Sequence, residues 1–546
     1  MSRRLAGLVI PAFTTRRDAD LGIGDTRALI EWIALAADHA VGLLQLLPIN
    51  EVGSDDSPYD ALSSVALEPL YLAMEEVPGI DPSEVAAATA EVSPGPVDYD
   101  EVRRRKRRLL DSAWKRWPQA EPGLHHEFDR FRRAEAAWLD DYANFRTLVE
   151  VFGSAIWDEW PDEVHDPTEA RACAAEHSDL TEFFAWVQWL CFGQWLAVRR
   201  FADERGVQLM GDIPIGIGRY SADVFFQRDD FDLEWCGGAP PETMFKHDEF
   251  IRRWGQNWGI PLYDWAKMRS EDYPWWRRRI QKLTDIFHVF RIDHILGLYR
   301  IYAFPWLPQF NEQFLALTGA EAAERTGGVL PRWVPRPDDL ETNRDANRAD
   351  GDHRLKMVID AAGGAQVVGE DLGVVPDYVR PHMTSLDVAG FRIPHWDADD
   401  DGKVISPDEI DECTFATYAT HDHDPLASLW LDLAERSTNV TDTDDAIEAA
   451  ELWQRLAAFG DIEPNGPFGD QERWALIDAL MASRSRYAAV MITDLFGLED
   501  RINQPGTVGS HNWAFRLSET AADSRRRPEW RRLAVSIKSS DREADR

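Results

Sequence analysis

The chain has 546 residues and a formal net charge of −37, with 59 Lys and Arg against 96 Asp and Glu. A field of that sign repels nucleic acid and anionic membranes and favours solubility, so neither is expected as a partner. No run reaches the ~18 consecutive apolar residues of a spanning helix, and the N-terminus has no apolar signal core. Cys173, Cys191, Cys236 and Cys413 lie too far apart for a metal site, and together these features predict a cytoplasmic protein with free thiols.

In chain order, short apolar runs that end in polar residues read as buried parallel strands. Ala6–Pro11 comes first, then the amphipathic helix Thr26–His39, then Val41–Pro48. Residues 72–190 follow, helical and rich in Trp (Trp114, Trp117, Trp138, Trp157, Trp160, Trp186, Trp189). They are too long for a simple connection and predict a helical insertion between the second and third strands. Within them, Arg103-Arg-Arg-Lys-Arg-Arg108 followed by two leucines reads as a solvated helix face. Val207–Pro214 is the third strand, and residues 219–285 form a second excursion rich in Gly, Pro and Trp. Ile286–Asp293 is the fourth strand. Residues 305–354 are a third insertion, whose polar stretch Asp338–Asp352 reads as an exposed loop. Ala365–Glu370, Ala389–Ile393, Thr414–Thr420 and Ala488–Asp494 complete eight strands, and the tail after Arg516 is charged and expected to fray at its tip. Eight such strands predict one α/β domain over residues 1–546, a (β/α)₈ TIM barrel with large, mainly helical insertions on its C-terminal rim.

Three of these strands end in acidic motifs: Arg291-Ile-Asp293-His294, Gly369-Glu370-Asp371-Leu-Gly373 and Thr420-His421-Asp422-His423-Asp424. A single strand-end Asp is more often a helix cap or a salt-bridge partner. Three on one rim point to catalysis. A nucleophilic carboxylate ~5–5.5 Å from a carboxyl acid/base is the apparatus of retaining glycoside chemistry. Asp293 lies two residues after Arg291, so both point to one face of the strand and the guanidinium stabilises the charged form that a nucleophile needs. Glu370 sits among Val367, Val368 and Leu372, where desolvation raises its pKa and lets it hold a proton near neutrality. Asp422 beside His421 suits the binding of sugar hydroxyls.

Sugar faces also stack on rings. The stretch from Gly238 through Trp254-Gly-Gln256-Asn-Trp258-Gly-Ile-Pro-Leu-Tyr263-Asp-Trp265 reads as a loop that exposes several rings, and Ser57-Pro-Tyr59-Asp60 offers another at the second strand's end. For any one of these Trp residues, core packing and a sugar platform are equally consistent with the sequence.

These motifs, in this order, resemble the amylomaltase-type 4-α-glucanotransferases, or disproportionating enzymes, of glycoside hydrolase family 77. The similarity runs from Arg4-Leu-Ala-Gly-Leu and Leu21-Gly-Ile-Gly-Asp25 through Leu44–Asn50, Ser57–Ser63, Trp138–Ala143 and Gly211-Asp-Ile-Pro-Ile215. It continues through Gln256–Pro261 and the three acidic motifs to Asn503-Gln-Pro-Gly-Thr507 and Asn512-Trp513. The resemblance implies a retaining transferase that moves α-1,4-glucan segments between maltooligosaccharides, or to glucose, in glycogen or starch metabolism, with no cofactor and no metal. It implies Asp293 as nucleophile, Glu370 as acid/base and Asp422 as transition-state stabiliser. Tyr59 would line the cleaved-sugar subsite, with Asp212, Arg291, His294 and His421 as its polar lining, and Gln256 and Trp258 would carry the acceptor side.

The chain departs from the family pattern at Tyr220, Glu68 and Asp60, in the length of Pro241–Trp258, and in Gly390-Phe-Arg-Ile-Pro-His-Trp396 after the sixth strand. These bear on donor and acceptor preference and leave the acidic triad intact. A hydrolase of the same chemistry, in which water resolves the intermediate, is the nearest alternative. A glycan-binding barrel without catalysis is a second, which three intact carboxylates disfavour.

Overall fold

In a computed structural model, residues 3–53, 55–242, 248–397, 404–439, 443–507 and 509–543 are described. They hold twelve strands: β1 Leu5–Val9, β2 Leu43–Gln45, β3 Gln208–Ile213, β4 Phe231–Ala239, β5 Gln256–Tyr263, β6 Val289–Ile292, β7 Ile301–Phe304, β8 Arg332–Val334, β9 Gln366–Gly369, β10 Ala389–Arg392, β11 Thr414–Ala416 and β12 Tyr487–Met491. Eight of them close in the order β1-β12-β11-β10-β9-β6-β3-β2, and the register Leu5↔Tyr487 to Val9↔Met491 seals the ring in parallel. Each of the eight barrel strands falls within or against one of the eight apolar runs predicted from sequence. Leu5–Val9 and Tyr487–Met491 are buried at every position, as expected when a parallel sheet is covered on both faces. Paired strands are shorter than the runs because the chain leaves the ladder at the rim, where the polar residues begin.

The remaining strands form an antiparallel sheet in the order β5-β4-β7-β8 over the rim. This corrects the loop expected from Trp254 to Trp265: Gln256–Tyr263 is a strand paired along β4, entered through Gly255 at φ +100°. Its Gly and Pro content disguised it. Part of the Pro241–Trp258 stretch, residues 243–247, lies outside the described residues. A second correction concerns Asp338–Asp352, expected as an exposed loop, most of which lies in the helix Glu341–Ala362. Buried Asn347 accepts from Arg336 (2.9 Å) and donates to Asp338 (2.8 Å), and a Cβ on Gly351 would come within 2.2 Å of the Tyr299 ring. A polar amide and a bare backbone pack this helix where an apolar stripe would have announced it.

Between β2 and β3 lie the helices Pro82–Ala90, Tyr99–Arg116, Pro122–Phe152, Pro167–Ala175 and Ser178–Arg205. Trp117 meets Trp186 and Trp189 at 5.8 and 5.5 Å between ring centres. The basic run lies on Tyr99–Arg116, but only part of it is solvated. Lys106 is buried with its Nζ donating to Leu72 O at 2.7 Å, and Arg105 is buried with Nη1 donating to Leu21 O at 3.0 Å. The charged tail is likewise packed. Its helix Pro528–Ser539 buries Trp530 against Trp32, and Arg542 reaches beneath β1; the tip, residues 544–546, lies outside the described residues.

Candidate active site

The register of the barrel sets the site. Asp212 pairs with Arg291 across β3 and β6, and Arg291 with Val368 across β6 and β9. Two bonds continue the ladder one step past the strands: Asp293 N donates to Ile213 O and Glu370 N to Ile292 O, both at 2.9 Å. Both carboxylates are therefore held at one level of the mouth. Asp422 follows β11 by six residues, and Tyr59 arrives on the connection after β2. Glu68 ties the base of that connection, accepting from Val52 N (3.0 Å) and Leu70 N (3.1 Å).

Arg291 is the hub. Its Nη1 donates to Asp212 Oδ1 and Oδ2 at 2.9 and 2.8 Å, and its Nη2 lies 2.8 Å from Asp293 Oδ1 and 3.9 Å from Glu370 Oε2. Tyr59 Oη donates to Asp212 Oδ2 at 2.8 Å. Side-chain exposure rises from 0% at Asp212 and 3% at Arg291 to 12% at Glu370, 27% at Asp293 and 35% at Asp422. Asp212 and Arg291 thus form a dry floor, and the three predicted catalytic carboxylates open above it.

Electrostatics divide the carboxylates. Burial pushes Glu370 up to about 7; the Asp293 charge adds to this, while Arg291 and the backbone N–H groups of His294 (2.8 Å) and Leu372 (3.0 Å) pull it down. Burial also lifts Asp212 to about 6 against the pull of Arg291. Asp422 goes the other way. Burial would raise it, but the His421 imidazole 3.2 Å away and the Asn503 amide, donating to Oδ1 at 2.6 Å, hold it well below the usual carboxylate range. Burial lowers His294 to about 4, so its ring is neutral at pH 7. Glu370 poised near neutrality, in a site where Asp422 is held as an anion, is an acid/base arrangement.

Asp371, adjacent to Glu370, points elsewhere. It is fully buried, receives Arg380 Nε at 2.9 Å and Phe391 N at 2.6 Å, and leaves no room for a side chain at Gly390, whose Cβ would lie 2.9 Å from its oxygens. Strand alternation separates the two acids of the motif.

On the sheet above, Trp258 is 37% exposed, meets the His294 ring edge-on at 4.9 Å and donates to Gln256 Oε1 at 3.3 Å. Of its neighbours, Trp254 is buried against Trp306, and the partly buried Trp265 stacks on Trp276. The tyrosine of the second-strand connection stacks on His421 at 5.1 Å. All ten residues singled out in sequence therefore gather at one mouth.

Three further residues join them. Asn503 holds Asp422; Trp513 closes on Tyr59 (5.8 Å) and His421 (5.6 Å); exposed Trp396 meets His423 edge-on at 4.8 Å. The signal was available in Asn503-Gln-Pro-Gly-Thr507, a polar turn just beyond the last strand. Trp396 sits in the stretch that departs from the family pattern. Among the described residues no group of three or more His, Cys, Asp or Glu side chains is arranged to hold a metal ion.

The family described as 4-alpha-glucanotransferase, glycoside hydrolase family 77, matches residues 10–521. A 4-alpha-glucanotransferase of Chlamydia pneumoniae is 27% identical over 528 residues, covering 94% of this chain and 91% of that protein. The chloroplastic/amyloplastic 4-alpha-glucanotransferase of Solanum tuberosum is 28% identical over 546 residues, covering 96% and 84%. The fold matches that of the amylomaltase from Streptococcus agalactiae solved with acarbose, at a TM-score of 0.80 and 21% identity over 99% of this chain and 100% of that one. With a (β/α)₈ barrel, its rim carboxylates and a family match along nearly its whole length, this chain belongs to the 4-alpha-glucanotransferase family.

Proposed function

We propose that the protein disproportionates α-1,4-glucans by double displacement, with maltooligosaccharides as donors and glucan or glucose 4-hydroxyls as acceptors. Asp293 attacks the anomeric carbon while Glu370 gives its proton to the departing sugar oxygen, leaving a glycosyl ester on Asp293. Glu370, now a carboxylate, takes the proton of the incoming 4-hydroxyl as that oxygen displaces Asp293, which restores both groups. Configuration is retained because each step inverts it. Asp422, held anionic by His421 and Asn503, bonds sugar hydroxyls more strongly as positive charge develops on the ring. Tyr59 supplies a ring face, with Arg291, Asp212, His294 and His421 as the polar lining. Gln256 and Trp258 occupy the acceptor side and favour a sugar over water.

The observation that carries this reading is the opposition of Glu370, lifted to about 7, and Asp293, held 2.8 Å from Arg291. The test is incubation with maltotriose: glucose together with maltopentaose and longer products supports transfer, whereas maltose and glucose without elongation would mean hydrolysis. A cytoplasmic location is consistent with four free cysteines and with no described helix being long and apolar enough to cross a membrane.

A further inference from the structure

A cleft of about 960 Å³ lies behind the catalytic mouth, between β4, β5, the helix Trp265–Ser270 and the helix Glu341–Ala362. None of the ten residues described above lines it. The wall between the two spaces is Ile215, Ile260 and Gly297, packed so closely that a Cβ on Gly297 would come within 2.6 Å of Ile215. Yet β5 serves both: Trp258 sits by His294 at one end, and Ile260 through Tyr263 line the cleft at the other.

The lining has the chemistry of a site for a neutral polyol. Phe231, Tyr263, Trp265 and Tyr273 supply ring surface, and Arg354 lies 4.4 Å over the Trp265 ring while its Nη1 donates to Leu298 O at 2.7 Å. Arg228, Arg269 and Arg354 are matched in number by Asp232, Asp264 and Asp350, so the lining carries no net charge within a chain of −37. A lining with no net charge does not select for an anionic or a cationic ligand. A sugar, which donates and accepts at every hydroxyl, matches guanidinium and carboxylate together. The volume is at the upper end of the ~300–1,000 Å³ of small-molecule sites, room for several sugar units.

We infer that this cleft is a second, non-catalytic glucan-binding site that holds a distant stretch of a long α-1,4-glucan while another stretch reacts at Asp293. The inference rests on the proposed function for the identity of the sugar. Tethering raises the local concentration of the reacting end, so the effect belongs to long chains alone.

The test uses two full-length variants remote from the carboxylates. Arg269→Ala with His353→Ala removes an exposed pair bonded at 2.9 Å, and Ala266→Trp fills the cleft from its exposed edge. Each should raise KM for long amylose about ten-fold, the size of one or two charge-assisted hydrogen bonds, and leave maltotriose disproportionation unchanged. Calorimetric titration of the Asp293→Asn protein with maltoheptaose should show two sites, and one when Ala266→Trp is added. An unchanged KM for amylose in both variants overturns the inference, as does an equal rise for maltotriose, or a single maltoheptaose site with or without Ala266→Trp. Failure of the wild-type protein to elongate maltotriose would instead sink the proposed function, while the titration would still report on the cleft.

Discussion

Arg291 at the mouth of the barrel and Arg542 beneath its floor are both almost fully buried, yet their partners differ in kind. Arg291 is surrounded by Asp212, Asp293 and Glu370, and although burial pulls its pKa down, those carboxylates carry it well above the ordinary arginine value. Arg542 meets no carboxylate within ion-pair distance among the described residues. It donates to Met481 O (2.7 Å), Ser483 O (2.5 Å) and Leu5 O (3.2 Å), and burial together with the Arg4 charge lowers it to about 9. One guanidinium organises anions for chemistry, and the other ties the last turn of the chain to the first strand. Both ends displace an arginine pKa, upward at the mouth and downward at the floor, and what separates them is the partner: carboxylates at the functional end, main-chain carbonyls at the structural one. This is the division expected of a (β/α)₈ enzyme.

The largest effect should come from the mouth. Asp293→Asn should reduce transfer from maltotriose by at least ~10³-fold with an unchanged melting temperature, because nucleophile and charge are lost together. Near-normal turnover would end the assignment. At the floor the outcome should reverse. Arg542→Ala strands several buried carbonyls and should lower stability by roughly 2–4 kcal/mol in denaturant titration, with kcat at low temperature unaltered. A loss of kcat without a loss of stability would erase the contrast.

The pH profile sharpens the comparison. Glu370 must carry its proton when the donor is cleaved, and its folded pKa of about 7 lies above the ordinary glutamate value, so the protonated form is lost as pH rises through about 7. kcat/KM for maltotriose should therefore fall on the alkaline side of about 7. Since the unfolded chain releases this proton near the ordinary value of 4.5, the cost of burying Glu370 builds from about 4.5 and is fully present above about 7. Glu370→Gln should then melt a degree or two higher than wild type at pH 8, with the difference vanishing near pH 4. An equal gain at both pH values would show that the carboxyl is not titrating in place. The smallest effect is expected from Trp258→Ala, a few-fold rise in hydrolysis relative to transfer, read as glucose released without chain elongation. An unchanged ratio would remove Trp258 from the acceptor side.

Much of this was legible in the sequence, and what was not has physical causes. The barrel strands announce themselves because a strand covered on both faces is a short apolar run, as in Leu5–Val9 or Tyr487–Met491. Asp293, Glu370 and Asp422 stand out because polar residues begin where such runs end. β5 was hidden by Gly259 and Pro261 inside it, and the helix Glu341–Ala362 by Asn347 and Gly351, which pack through an amide network and backbone contact. Lys106 looked solvated because charge usually is, and Arg542 lay in a charged tail; main-chain carbonyls that accept from them cannot be read from composition. Asn503 and Trp513 reach the site from the far end of the chain, a distance in sequence that only the closed barrel brings near.

The division of labour between Asp293 and Glu370 is tested most directly by mass spectrometry of Glu370→Gln incubated with an α-glycosyl fluoride. Fluoride leaves without protonation, so the first step proceeds, while the second lacks its base. A glycosyl adduct should accumulate on the peptide bearing Asp293, in a variant inert toward maltotriose. No adduct, or an adduct on a different residue, would contradict it.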